Sequence, residues 1–199
     1  GPGVLYLQHL FICDWRFSAE EKLAIEPEFF PEFSRDNAEK GEHLVQIVAS
    51  GPDSDLPTVL YSILQAIHLA KKELLITTPY FIPGESLMDA LIVAALGGVK
   101  VKLLVPGRSD SFLVNAAAYS FYAELLHAGV EIYLYEKGLI HAKTMVVDRQ
   151  VAIVGTANMD YRSFDLNFEV NALVYDTAIA EQLADQFAKD CEQARLVDP

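Results

Sequence analysis

From residue 43 onward the chain alternates short β-branched apolar runs with longer amphipathic ones, and this alternation limits the folds open to it more than any other feature. Residues 43–50 (HLVQIVAS), 73–81 (ELLITTPYF), 99–107 (VKVKLLVPG) and 130–136 (VEIYLYE) have strand length and strand composition. Between them, residues 55–72, 84–98 and 111–129 carry apolar positions at helical spacing. Asp55 is the expected N-cap of the first of these helices, with Pro57 in its first turn, and glycines end the other two. Residues 142–148, 151–155 and 167–176 then read as strands with no helix between them, and 177–195 as a closing helix. Strands alternating with helices, followed by a run of strands, predict an α/β layered fold. Its mixed β-sheet should be largely parallel early and antiparallel late, with helices on both faces.

The alternation does not extend to the first 42 residues. Val4, Leu5, Leu7, Leu10, Phe11 and Trp15 recur at helical spacing and predict an amphipathic helix over 3–17. Residues 18–42 contain EPEFFPEFSRD, polar and broken by proline, and predict a surface linker. The expected organisation is therefore a helix and linker over 1–42, resembling the tail of a preceding unit, and a main domain over 43–199.

Just over half the residues are apolar, enough for one well-filled core and too many for a disordered chain. Cys13 and Cys191 lie too far apart in sequence to suggest a disulfide framework or a metal site, so both are expected as buried free thiols. The formal net charge of −13 disfavours holding nucleic acid by general field. That charge is uneven. Residues 14–42 hold nine acids against four bases, whereas 139–163 hold three bases against two acids. No apolar run is long enough to cross a bilayer, and no secretory signal is recognisable, so a soluble chain is expected.

The less negative stretch, LIHAKTMVVDRQVAIVGTANMDYRS, also carries the chemistry. Side chains of a strand alternate, so His141 and Lys143 should share one side. Asp148 ends the strand at a turn, Gly155 permits a tight bend after the next, and Thr156, Asn158 and Ser163 should sit in a loop. A phosphodiester needs this set: an attacking group, a cation over the non-bridging oxygens, and neutral donors around them. A neutral imidazole can attack phosphorus and form a phosphohistidine, best when a carboxylate fixes its tautomer. Asp148 would be about 20 Å from His141 along a straight strand. Glu169 is therefore the expected orienter, with Asp148 the carboxylate that holds the turn. The plainer alternative is a satisfied histidine, an exposed strand lysine and a hairpin loop.

The full string His-x-Lys-x4-Asp-x6-Gly-x2-Asn, met by His141, Lys143, Asp148, Gly155 and Asn158, resembles the HKD signature of the phospholipase D superfamily. NMDYRSFDLNFEVN, TPYFIPGESLMDAL and VKLLVPGRSDS are similar to the cardiolipin synthase branch. The opening GPGVLYLQHLFICDW is similar to the segment that closes the first half of such synthases. The resemblance implies a phospholipase D-like layered fold and catalytic roles for His141, Lys143, Asp148 and Glu169. It implies transfer of a phosphatidyl group between two phosphatidylglycerol molecules at a membrane surface, on the cytoplasmic side, with no metal or other cofactor. The family's site joins two such motifs, and this sequence has one. His9, His43, His68 and His127 have no lysine two residues on. A second motif from a preceding half or a second subunit is therefore expected as partner, and whether His141 is nucleophile or acid/base stays open.

Other candidates lie after strands, where open α/β sheets bind ligands. Tyr80, beside Phe81 and Pro83, is a candidate wall of the lipid pocket or a core-packing loop. Arg108 is a candidate contact to the head-group phosphate or a solvated surface arginine. Together with Thr156, Asn158 and Ser163 these form the expected substrate-binding set. Two competing functions remain open: a hydrolase or nuclease built as a dimer of single-motif chains, and a non-catalytic module that binds phospholipid head groups.

Overall fold

The computed structural model describes residues 2–19, 23, 25–30, 43–107 and 112–198. Helix α1 (Pro2–Ala19) opens the chain, and most of the linker expected over 18–42 lies outside the described residues. From residue 43 the elements alternate: β1 (Leu44–Ser50), α2 (Thr58–Leu69), β2 (Glu73–Thr77), a short β3 (Phe81–Ile82), α3 (Glu85–Leu96), β4 (Lys100–Pro106), α4 (Phe112–His127) and β5 (Glu131–Tyr135). Then come β6 (Thr144–Val147), β7 (Val151–Gly155), β8 (Met159–Asp160), α5 (Tyr161–Asp165), β9 (Glu169–Tyr175), α6 (Thr177–Cys191) and β10 (Ala194–Leu196).

Among the described residues one sheet holds eight strands in the order β1-β9-β7-β6-β2-β4-β5-β10. β2, β4 and β5 run parallel, joined by crossover helices α3 and α4. β6, β7, β9 and β1 add to the β2 side, each antiparallel to its neighbour. The parallel-then-antiparallel expectation therefore holds for the centre of the sheet. β1 departs from it: first in the chain, it lies at the antiparallel end of the sheet beside β9.

Two cores follow from period-two alternation. Leu74, Ile76, Leu103, Val105, Ile132, Met145 and Val147 face one side, against Ile63 and Ile67 of α2, Leu87 and Leu91 of α3 and Leu125 of α4. Leu75, Leu104, Val146 and Ala152 face the other, against Ala180, Ala184 and Phe187 of α6. The central strands are covered on both faces, which explains why they read as continuous apolar runs.

Several boundaries differ from the expectations. β1 is a sheet edge with an exposed N-terminal half rather than a buried strand. α2 starts at Thr58 with Pro57, not Asp55, at the N-cap; proline has no side-chain acceptor to cap it, and the Thr58 hydroxyl donates to the Ala49 carbonyl at 2.7 Å and ties the helix to β1. β2 stops at Thr77, with β3 set apart to pair with β8. The closing helix ends at Cys191, and the residues after it form β10 along the β5 edge. Cys13 is exposed and Cys191 half-buried, so neither is the fully buried thiol expected. Burial pushes the Cys191 thiol up to about 11.

Candidate active site

The strand register brings distant segments to one end of the sheet. Thr77 at the end of β2 pairs with Thr144 at the start of β6, Thr144 with Val154, and Gly155 with Asn171. Ser50, the last residue of β1, pairs with Glu169, the first of β9. The C-terminal ends of the parallel strands β2, β4 and β5 lie on this same edge. Open α/β sheets bind ligands there, where the chain leaves the sheet and side chains are free to converge.

His141 and Lys143 lie on the extended approach to β6 rather than within it, since the strand begins at Thr144. They still meet as the two-residue spacing predicts. Lys143 Nζ is 3.2 Å from His141 Nδ1 and 3.3 Å from Nε2, and donates to the His141 carbonyl at 3.1 Å. His141 is exposed and Lys143 half-buried. Burial lowers the Lys143 ammonium below the usual lysine range, and the charges of Glu169 and Asp160 only partly offset this. The Tyr80 ring stands edge-on to His141, with centroids 6.4 Å apart and planes at 85°. Tyr80, on the segment between β2 and β3, thus stands beside the imidazole.

Glu169 is buried, but its carboxylate is not bonded to His141. One oxygen accepts from the Thr156 hydroxyl and the other from Asn167 Nδ2 at 3.2 Å. Thr156 Oγ1 in turn accepts from the Val170 backbone N–H at 2.9 Å. The expected His141–Glu169 bond is thus replaced by a Thr156–Glu169–Asn167 network lying next to Lys143.

Asp148 sits at the opposite end of β6 from His141. Its carboxylate accepts three backbone N–H bonds, from Lys71 at 2.8 Å, Lys72 at 2.7 Å and Glu73 at 2.8 Å. Burial alone would raise its pKa, but these bonds and the Lys72 charge outweigh it and hold the carboxyl below the usual range. Asp148 and Arg149 both have positive φ, and Gln150 N–H returns to the Val147 carbonyl. Positive φ at both central residues gives the turn a type I′-like form, and the register leaves Asp148, Arg149 and Gln150 between the paired Val147 and Val151. Asp148 thus holds the turn, as expected, and its carboxylate bonds neither His141 nor Lys143.

The segment after β7 is also more ordered than a loop. Asp160 caps α5 by accepting from Ser163 N–H at 2.7 Å, and Ser163 Oγ accepts from Asn158 N–H at 3.1 Å. Ser163 is therefore buried within α5 rather than placed in a loop as expected. Asn158 is half-buried, and its Oδ1 has no partner among the described residues. Arg108 lies outside the described residues.

Three contributors were not singled out from the sequence. Thr78, fully buried, accepts from Met159 N–H at 3.1 Å and so ties the end of β2 to β8. Asp160 lends charge to Lys143. Asn171 stands two residues from Glu169 on the same face of β9, a period-two relation the sequence already contained. Gly155 matters for the same reason: a Cβ there would collide with the Asn171 amide and the Val170 carbonyl.

The arrangement presents an imidazole, an ammonium, the Asn158 amide and a buried carboxylate at one sheet end, a set suited to phosphoryl transfer. Among the described residues no group of three or more His, Cys, Asp or Glu could hold a metal.

Comparison with known proteins identifies the family. The family model described as the phospholipase D-like domain of cardiolipin synthase matches residues 63–191. The chain is 42% identical over its whole length to a cardiolipin synthase of Listeria welshimeri and 45% identical over 96% of its length to the major cardiolipin synthase of Bacillus subtilis. It spans only 41% and 39% of those proteins' lengths. Among solved structures, Nuc of Salmonella typhimurium, a phospholipase D family member, has a TM-score of 0.68 at 21% identity, over 79% of this chain and 100% of its own. Phosphatidylserine synthase of Haemophilus influenzae has a TM-score of 0.62 at 18% identity, over 77% of this chain and 40% of its own. The family model and the similarity over the whole of this chain show that it belongs to the family of cardiolipin synthase phospholipase D-like domains.

Proposed function

We propose that the protein carrying this chain transfers a phosphatidyl group from one phosphatidylglycerol to another, giving cardiolipin and glycerol, and that residues 43–199 supply one of two catalytic halves. One histidine of the joined site attacks phosphorus while the other protonates the departing glycerol oxygen. The hydroxyl of the second phosphatidylglycerol then attacks the phosphohistidine, gives its proton back to the acid/base histidine and frees the nucleophile. His141 performs one of these two roles. Lys143 spreads positive charge over the non-bridging oxygens, with Thr156, Asn158, Tyr80 and Arg108 around the head group. The second motif comes from a preceding half, with residues 1–42 linking the two, or from a second subunit. The lipid is taken from the cytoplasmic face of a membrane.

The observation that carries this reading is the contact of His141 with Lys143 at the ligand-binding end of the sheet, in a chain whose relatives are named cardiolipin synthases. The test is turnover of phosphatidylglycerol vesicles by the full-length protein and its His141→Ala variant. Cardiolipin and glycerol should form with the parent, and the variant should lose at least a thousandfold while keeping its melting temperature. Activity retained within tenfold would sink the role of His141. Phosphatidic acid as the sole lipid product would point to a hydrolase, and binding without turnover to a head-group module.

A further inference from the structure

Asn171 is 3% exposed, and its side-chain oxygen has no hydrogen-bond partner among the described residues. Such an oxygen normally finds a donor, because burying it unpaired is costly. Its position shows which donor is in reach. Gly155 N–H bonds to the Lys143 carbonyl at 3.2 Å, and Gly155 is the cross-strand partner of Asn171. Lys143, Gly155 and Asn171 therefore form one row across three neighbouring segments. Met145 and Leu173, two residues along from Lys143 and Asn171, lie in the same core, so both ends of the row face the same side. The Asn171 amide leans over Gly155 into the space a side chain would fill. It thereby points across the row toward Lys143, about one strand spacing of roughly 5 Å farther on.

Lys143 has a donor to give. An ammonium carries three N–H groups, and the His141 carbonyl and ring account for two. The groups facing it are His141 on its own segment, Glu169 on β9 and Asp160 on β8, with Tyr80 beyond the imidazole. A third carboxylate in this place would neutralise the ammonium. A neutral amide oxygen solvates it and leaves the charge for an anion.

Resting on the phosphoryl-transfer reading above, we propose that Asn171 is a positioning residue for Lys143, its side-chain oxygen accepting a hydrogen bond from the ammonium across Gly155 and holding it charged beside the phosphate. Asn171 itself touches no substrate.

The test is the affinity of the full-length protein for inorganic phosphate, measured by calorimetry between pH 8 and 11, where phosphate keeps one charge state. Affinity should fall as Lys143 loses its proton, and Lys143→Ala should remove that part of the fall. Asn171→Leu has a similar volume, offers no acceptor and leaves no room for water. Without the hydrogen bond the charged form is less favoured, so the fall should move down by about one pH unit. Asn171→Asp has the same shape but pairs with the ammonium. It should move the fall upward and weaken phosphate binding at pH 8 by about tenfold. A merely structural role would shift neither curve. A fall at the parent's pH in both variants, or one that survives Lys143→Ala unchanged, overturns the proposal. If Asn171→Leu does not fold, the direction of the Asn171→Asp shift decides alone. Should the parent bind no phosphate, this inference and the proposed function fail together. Should it bind phosphate with this pattern but transfer no phosphatidyl group, only the proposed function fails.

Discussion

Asp148 separates two roles that a motif position can have. Its carboxylate is fully engaged by the N–H groups of Lys71, Lys72 and Glu73, which lead into β2, the strand that ends beside the site. It fixes where β2 begins and β6 ends, at the far end of β6 from His141. The sign of its pH dependence follows. Its folded pKa is depressed, so its contribution to stability is complete above the unfolded value near 4 and is lost as pH falls through the lower folded value. Asp148→Asn keeps one acceptor oxygen and loses the charge. Denaturant unfolding should show a deficit of about 1 kcal/mol at pH 7, the scale of losing a charge-assisted hydrogen bond. That deficit should shrink toward zero as pH falls below the depressed folded value. Activity per folded molecule should stay within threefold of the parent, and a hundredfold loss would return Asp148 to the catalytic set.

At the scale of elements, how much was legible depended on how long a pattern ran. The central strands and α2, α3 and α4 carry enough apolar positions to show their period, and the structure keeps them within a few residues. The His141–Lys143 contact was legible because two-residue spacing on an extended chain leaves little freedom. α5 was not: five residues held by the Asp160 cap and a Ser163–Asn158 bond carry no periodic signal. The same brevity hid β8 and β10, and the loss of the Glu169–His141 bond depends on side-chain competition that no pattern encodes. α6 shows how an element's composition can still be tested. It covers its face of the sheet almost alone, and Ala180 and Ala184, both fully buried, let it approach closely. Ala184→Leu adds three carbons where no space exists. It should cost about 1–3 kcal/mol by overpacking, read as a lowered melting temperature. The site lies at the sheet end, and residual activity of folded protein should be near that of the parent.

For the molecule as a whole, two long-range features oppose each other. On α1, Val4, Leu7, Phe11 and Trp15 form a stripe with exposures of 57, 40, 54 and 41%, while Ile12 faces inward at 2%. Phe11 and Trp15 stand 5.9 Å apart and widen the apolar surface. Hiding such a stripe favours association of two copies. The net charge of −13 disfavours it. Two globules of this length touch at a centre separation of about 40 Å. At that distance the repulsion is roughly 17 kcal/mol unscreened, about 5 kcal/mol at 0.01 M salt and negligible at 0.15 M. Charge should therefore win at low salt and the stripe at high salt. In sedimentation velocity the chain by itself should run as a monomer at 0.01 M salt and self-associate as salt rises to 0.5 M. Phe11→Ser with Trp15→Ser should keep it monomeric throughout. Association that weakens with salt, or that survives the double substitution, would show that contacts between charged groups, and not α1, bring the copies together.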